Sequence, residues 1–150
     1  KKGNALLSKM CSIIAGDEMR HHLAYREFVK SIFEKDPNGM MLAYADMMKR
    51  KIVMPAHFLR KSGEEKGLAF ENFSICAQRL GVYTSQDYID IFMKLNNYWN
   101  LETLRSLSDE AQKARDYLVG MPARLQRIAE RMKLSEDQFR FKWVEANGML

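Results

Sequence analysis

The sequence predicts an all-α protein, and three observations carry that prediction. Apolar residues recur at three- and four-residue steps over long stretches, capping residues stand where those stretches begin, and strand signals are almost absent. The first helix is expected from about Asn4 to Lys35, stopping at the turn Asp36-Pro37-Asn38-Gly39. A second helix follows over roughly Met40 to Arg50. Pro55 then breaks the pattern, so Ile52 to His57 reads as a kinked connection. Lys61 to Gly67, rich in charge and glycine, is expected as the most mobile loop. Leu68 to Leu80 forms a shorter helix closed by Gly81, a favoured C-terminal cap. Thr84 caps a helix over about Ser85 to Asn97. Ser108 caps a long one whose opening Asp109-Glu110 suits the helix dipole. Gly120 and Pro122 are expected to kink that helix before it ends near Lys133, and from Ser135 the tail is aromatic without a clear period. With no internal repeat and no linker composition, residues 1–150 read as a single all-α unit.

Composition narrows the function classes. The chain has 150 residues, 47% hydrophobic and 29% charged, enough for one domain with a core. No run approaches the ~18 apolar residues of a membrane span. The opening Lys1-Lys2-Gly3-Asn4 does not read as a secretory leader. Two cysteines, Cys11 and Cys76, suggest no disulfide framework and fit a reducing compartment. The net charge of +5 concentrates at Lys49-Arg50-Lys51 and around Arg124, Arg127 and Arg131. Both clusters read as solvated helix faces or as docking sites for an acidic protein or phosphate. A nucleic-acid partner is not expected, since no binding module or interleaved aromatic platform is present.

The first helix holds the feature that points to chemistry. Leu7, Cys11, Ile14, Glu18, His21, Tyr25, Phe28 and Ile32 follow one another by steps of three and four, which places them on one helical face. Six of the eight belong in a packed core. A carboxylate and an imidazole among them need strong partners, because an unpaired buried carboxylate is costly. A metal ion is one such partner, and an inward-facing Glu-x-x-His is how ferritin-like bundles hold two irons. The alternative is a hydrogen-bonded Glu18–His21 pair braced by Arg20. Asp17 and Arg20 flank the pair, where they can orient its groups. A complete two-metal site needs a second Glu-x-x-His and two more glutamates. Of the three histidines, His22 lies about 100° off the stripe, and His57 has Met54 where the glutamate would stand. The chain thus holds half of such a site. The other half comes from a further segment, from a second copy, or is lacking. No Gly-rich phosphate loop, CxxC or Ser-His-Asp pattern competes with this reading.

The segment Ile14-Ala15-Gly16-Asp17-Glu18-Met19-Arg20-His21 with Ala24-Tyr25 resembles the second metal-binding helix of the soluble acyl-acyl carrier protein desaturases. The resemblance continues through Phe33 to Gly39, Ala45 to His57, Ala77 to Thr84, Gln112 to Tyr117, and Phe141-Lys142-Trp143, in order and with similar spacing. It implies a ferritin-like bundle, here about half of it plus C-terminal helices. It implies a two-iron enzyme, usually a homodimer, that uses dioxygen and two electrons from ferredoxin. The reaction would leave a cis double bond in a saturated acyl chain on acyl carrier protein. By motif position Glu18 and His21 would bind iron, and Asp17 would hydrogen-bond the histidine of the other half, fixing its tautomer. The family's other Glu-x-x-His helix and remaining glutamates would lie before Lys1. His22 departs from the acidic residue of plant members, and the Lys61–Gly67 loop departs in length. Those departures favour a bacterial cytoplasm over a plastid stroma.

A saturated chain has no polar group near its middle and is positioned by shape alone. The candidate wall residues are Tyr25, Met54, Pro55, Phe70, Phe73 and Ser74, all of which read equally as ordinary core. Burying ten methylenes contributes roughly 8 kcal/mol at ~0.8 kcal/mol each, before ordering costs. Acyl carrier protein is acidic, which gives Lys49, Arg50 and Lys51 a partner. Two other readings stay open. One is an iron-binding ferritin-like assembly built across two chains, with Glu34, Glu71 or Glu110 as the extra glutamate. The other is a non-catalytic helical module.

Overall fold

The structure is a computed structural model that describes residues 4–50 and 68–131, with residues 68–72 described in their backbone only. Among the described residues there are five α-helices, one short 3-10 turn and no strand, as an all-α fold requires. The helices are α1 (Ala5–Lys35), α2 (Pro37–Lys49), α3 (Leu68–Arg79), α4 (Ser85–Tyr98) and α5 (Asp109–Arg131), with the 3-10 turn at Leu101–Thr103. They fall into two compact units, one of residues 1–50 and 93–120 and the other of residues 51–92 and 121–150.

In the first unit, α1 starts where the Asn4 side chain accepts the Leu7 N–H at 3.1 Å. Its end differs from the sequence expectation of an open turn. Asp36 gives its backbone N–H to the Ile32 carbonyl, closing α1, while its carboxylate accepts the Gly39 N–H at 2.8 Å and so opens α2. Pro37 takes the first position of α2, where a missing N–H costs nothing and the fixed φ is already helical. This is why α2 begins three residues before the expected Met40. A Cβ on Gly39 would collide with the Asp36 carboxylate, so the cap requires glycine there.

The buried side chains of this unit include Phe33, Met41, Tyr44, Ala45, Trp99, Leu101, Leu107, Ala111, Ala114 and Leu118. Trp99 is central, with its ring 5.9 Å from Phe33 and 5.4 Å from Tyr44. Asn96 is the buried polar residue. It accepts the Tyr44 hydroxyl at 3.1 Å and donates to the Leu118 carbonyl at 3.3 Å. That carbonyl lacks its usual helical donor, because residue 122 is proline. Helix α5 continues through Gly120 and Pro122 to Arg131, and Asn96 supplies the hydrogen bond that the proline withholds. At the head of α5, Ser108 accepts the Ala111 N–H at 3.3 Å, and its own N–H reaches the Asn38 side chain at 2.9 Å.

In the second unit, α3 ends in a Schellman motif. The Gly81 N–H bonds the Gln78 carbonyl and the Val82 N–H bonds the Ala77 carbonyl, with Gly81 at φ +65°. Thr84 then opens α4 through a reciprocal cap: its hydroxyl oxygen accepts the Asp87 N–H, and the Asp87 carboxylate accepts the Thr84 N–H at 2.7 Å.

Candidate functional site

Asp17, Glu18 and His21 stand in the middle of α1. Three residues of helix place Glu18 and His21 on one face, with Glu18 Oε2 3.8 Å from His21 Nδ1. Arg20 pairs with Asp17 rather than with Glu18. Burial departs from the sequence expectation. The side chains of Glu18 and His21 are 73% and 63% exposed. Leu7, Ile14, Tyr25, Phe28 and Ile32 of the same stripe are exposed as well, as is Cys11. The three-and-four spacing correctly marks one helical face. It does not bury that face, because burial needs an opposing surface and the described residues offer none to this part of α1.

Below the pair, α1 is held firmly. The Trp99 indole N–H donates to the Arg26 carbonyl at 3.1 Å, and the Arg26 guanidinium lies 3.9 Å from the centroid of the Tyr98 ring. The Tyr98 hydroxyl donates to the Glu27 carboxylate. That hydrogen bond is the main reason the Glu27 carboxyl sits below its ordinary pKa and the Tyr98 phenol above its own. These contacts lie one to two turns beyond His21 and fix the height and rotation of the helix that carries it. Sequence reasoning missed them. The adjacent aromatics Tyr98 and Trp99 at the end of a helix were the available signal.

A carboxylate oxygen and an imidazole nitrogen side by side suit iron. They amount to two donors, and among the described residues no group of three or more His, Cys, Asp and Glu side chains is placed to hold a metal. The pair therefore fits half of a two-metal donor set. His22 is exposed, while His57 lies outside the described residues.

The candidate wall residues separate. Tyr25 is on α1, 66% exposed and edge-on to Phe28. Phe73 and Ser74 line a cavity of about 520 Å³ among α3, the turn after it, α4 and α5. Phe70 is on α3 with its side chain undescribed, and Met54 and Pro55 lie outside the described residues. The other cavity walls include Ala77, Val82, Tyr83, Tyr88, Ile89, Leu125, Ile128 and Ala129, none of which sequence reasoning singled out. The spacing of Leu125, Ile128 and Ala129 was the legible clue, since it marks an apolar face on α5. Burial, with Tyr88 and Asp87 adding to it, raises the Tyr83 phenol above its ordinary pKa and keeps it a neutral hydroxyl.

Of the basic cluster, Lys49 sits 5.1 Å from the Tyr117 ring centroid, and Arg50 pairs with Asp46 at 2.7 Å. Lys51 lies outside the described residues. No helix among the described residues is long and apolar enough to cross a membrane.

Taken together, an all-α fold and a Glu-x-x-His pair on one helix face are consistent with a ferritin-like bundle. The chain belongs to the fatty acid desaturase family, which it matches over residues 1–145. It is 47% identical over 147 residues to stearoyl-[acyl-carrier-protein] 9-desaturase 5, chloroplastic, of Arabidopsis thaliana, covering 95% of this chain and 37% of the relative. It is 48% identical over 145 residues to the chloroplastic stearoyl-[acyl-carrier-protein] 9-desaturase of Solanum commersonii, covering 95% and 36%. The Helianthus annuus enzyme of the same name is 51% identical over 129 residues, covering 86% and 32%. The chain thus spans about a third of the length of these relatives. All three relatives are chloroplastic, so the expectation of a bacterial cytoplasm finds no support.

Proposed function

We propose that this chain forms part of an acyl-acyl carrier protein desaturase, which removes two hydrogens from a saturated acyl chain and leaves a cis double bond. The observation that supports it best is the Glu18–His21 pair on one face of α1, inside a family match covering residues 1–145. Glu18 and His21 would hold iron, and Asp17 would orient a histidine on the opposing helix. Dioxygen activated at iron would supply the oxidising power, because acid-base side chains cannot break an unactivated C–H bond. The chain's own groups position and shield. Phe73 and Ser74 offer apolar surface to the acyl chain, together with Phe70, Met54, Pro55 and Tyr25. Lys49, Arg50 and Lys51 attract the acidic carrier protein, chiefly by raising its encounter rate. The proposal includes a ferredoxin-type electron donor, a homodimer and, from the chloroplastic relatives, a plastid stroma.

The test uses the full-length polypeptide, purified with its metal and given stearoyl-carrier protein, reduced ferredoxin and dioxygen. Product analysis should show a monounsaturated acyl chain. Glu18→Ala and His21→Ala should each lower bound iron by at least half and product by more than a hundredfold. A wild-type protein without iron and without unsaturated product would refute the proposal.

A further inference from the structure

Asn38 is the one asparagine among the described residues that is followed by glycine. An asparagine loses its side-chain amide when the backbone nitrogen of the next residue attacks it. Glycine, with no Cβ, leaves that nitrogen unhindered. The fold itself demands this dipeptide, because any Cβ at position 39 would collide with the Asp36 carboxylate that caps α2. A structural need for glycine therefore places a chemically labile pair in the first turn of the helix.

The same cap restrains the chemistry that it creates. The attacking group is the Gly39 N–H, and it already donates to Asp36 Oδ1 at 2.8 Å. The amide under attack belongs to Asn38, whose Oδ1 accepts the Ser108 N–H at 2.9 Å and is anchored there towards the start of α5. Asn38 is the second residue of α2. Closing a five-membered ring through its side chain needs its ψ to leave the helical value of about −42°. That rotation breaks the cap, and with it the bond from the Met40 N–H to the Asp36 carbonyl at 3.0 Å. Asp36 does not activate the attack, since a carboxylate is far too weak a base to take a peptide-amide proton. Asn38 and Gly39 are half-buried rather than sealed, so water has access once the ring forms.

We propose that Asn38 is a spontaneous deamidation site held closed by the Asp36 cap. When the cap releases, the Gly39 nitrogen bonds to Asn38 Cγ and the Cγ–Nδ2 bond breaks. The Gly39 amide proton leaves with the departing nitrogen as ammonia, and a cyclic imide remains. Water then opens one of its two ring C–N bonds. Breaking the bond to Cγ restores the peptide with aspartate at 38. That product keeps the acceptor for Ser108 and adds a negative charge near a helix N-terminus, where it is favoured. Breaking the other bond leaves isoaspartate, which routes the backbone through the side chain and lengthens it by one methylene between Asp36 and Gly39. The cap distance cannot then be kept, so the α1–α2 junction is lost. The proposal is independent of the desaturase reading and requires neither a metal nor a substrate.

Peptide mapping of the full-length polypeptide after storage at mildly alkaline pH tests it. The mass gain of the amide-to-acid change reports conversion at Asn38, and enzymatic methylation counts isoaspartate. The wild type should convert at least about tenfold more slowly when folded than in guanidinium chloride, the factor that a charge-assisted hydrogen bond is worth. Asp36→Ala should speed conversion in the folded protein by a similar factor, beyond what its unfolded fraction accounts for. Asp36→Ser keeps a neutral cap in place of a charged one. It should fall between the two, and it supplies the reading should the alanine variant fail to fold. The proposal is overturned if the unfolded chain keeps Asn38 intact, or if folded wild type converts as fast as unfolded. It is equally overturned if neither cap variant converts faster than its unfolded fraction explains.

Discussion

Asn96 shows how much one buried amide can decide. Its oxygen accepts the Tyr44 hydroxyl and its nitrogen donates to the Leu118 carbonyl, which Pro122 leaves without a helical donor. Asn96→Leu removes both partners at once and strands two buried polar groups. Each stranded group costs about 1–3 kcal/mol, so a total loss on the order of 3 kcal/mol is expected from the shift of the urea midpoint. Pro122→Ala returns an N–H to the Leu118 carbonyl. The double variant should therefore lose less than the two single losses added together, with a coupling of at least ~0.5 kcal/mol. Strict additivity would show that Asn96 and Pro122 act independently. Nothing in the sequence announced this arrangement. An asparagine in a helix and a proline 26 positions later are two weak signals until the fold brings α4 against α5.

At the level of elements, the boundaries were legible because they depend on neighbours in sequence. Asn4, Thr84, Ser108 and Gly81 all terminate helices where the residue types predict. Gly81 is the most demanding of them, because it holds φ +65° and both closing hydrogen bonds of α3 pass through that turn. Gly81→Val places a β-branched residue in the left-handed region, at a cost of about 1–2 kcal/mol or more. The expected result is a lower thermal midpoint, with the end of α3 exchanging its amide hydrogens faster than the end of α5. Unchanged exchange at Leu80 to Tyr83 would mean that the turn tolerates the strain. The start of α2 was misjudged because Asp36-Pro37-Asn38-Gly39 is a turn signature in isolation, and becomes a helix start once Asp36 caps from outside.

For the molecule as a whole, the stripe on α1 is the governing fact. Periodicity located it, yet which surface meets it lies beyond any local rule. The cavity was only partly legible for the same reason, since its walls combine the neighbouring α3 and α4 with the last turns of α5, which lie well beyond them in the chain. Leu6, Met10, Ile14, Phe28 and Ile32 remain uncovered in the chain by itself. An apolar face of that extent marks an interaction surface. The 150-residue chain alone should therefore enhance the fluorescence of an apolar-surface dye, and Ile14→Lys with Phe28→Lys should reduce that signal without lowering the thermal midpoint. In the desaturase reading, the full-length polypeptide covers the face, and there the same pair of lysines should destabilise by several kcal/mol. Equal effects in both settings would mean that the stripe is ordinary surface.

The junction at Asp36 has a consequence for rotation as well as for capping. One residue closes α1 and opens α2, so no slack separates the two helices. The angular phase of Glu18 and His21 on the first helix is thereby locked to that of Lys49 and Arg50 on the second. A single residue inserted within α1 between His21 and Asp36 would turn one set against the other by about 100°. The Glu18–His21 pair and the Lys49–Arg50 pair would then be turned relative to each other, although every helix could still form.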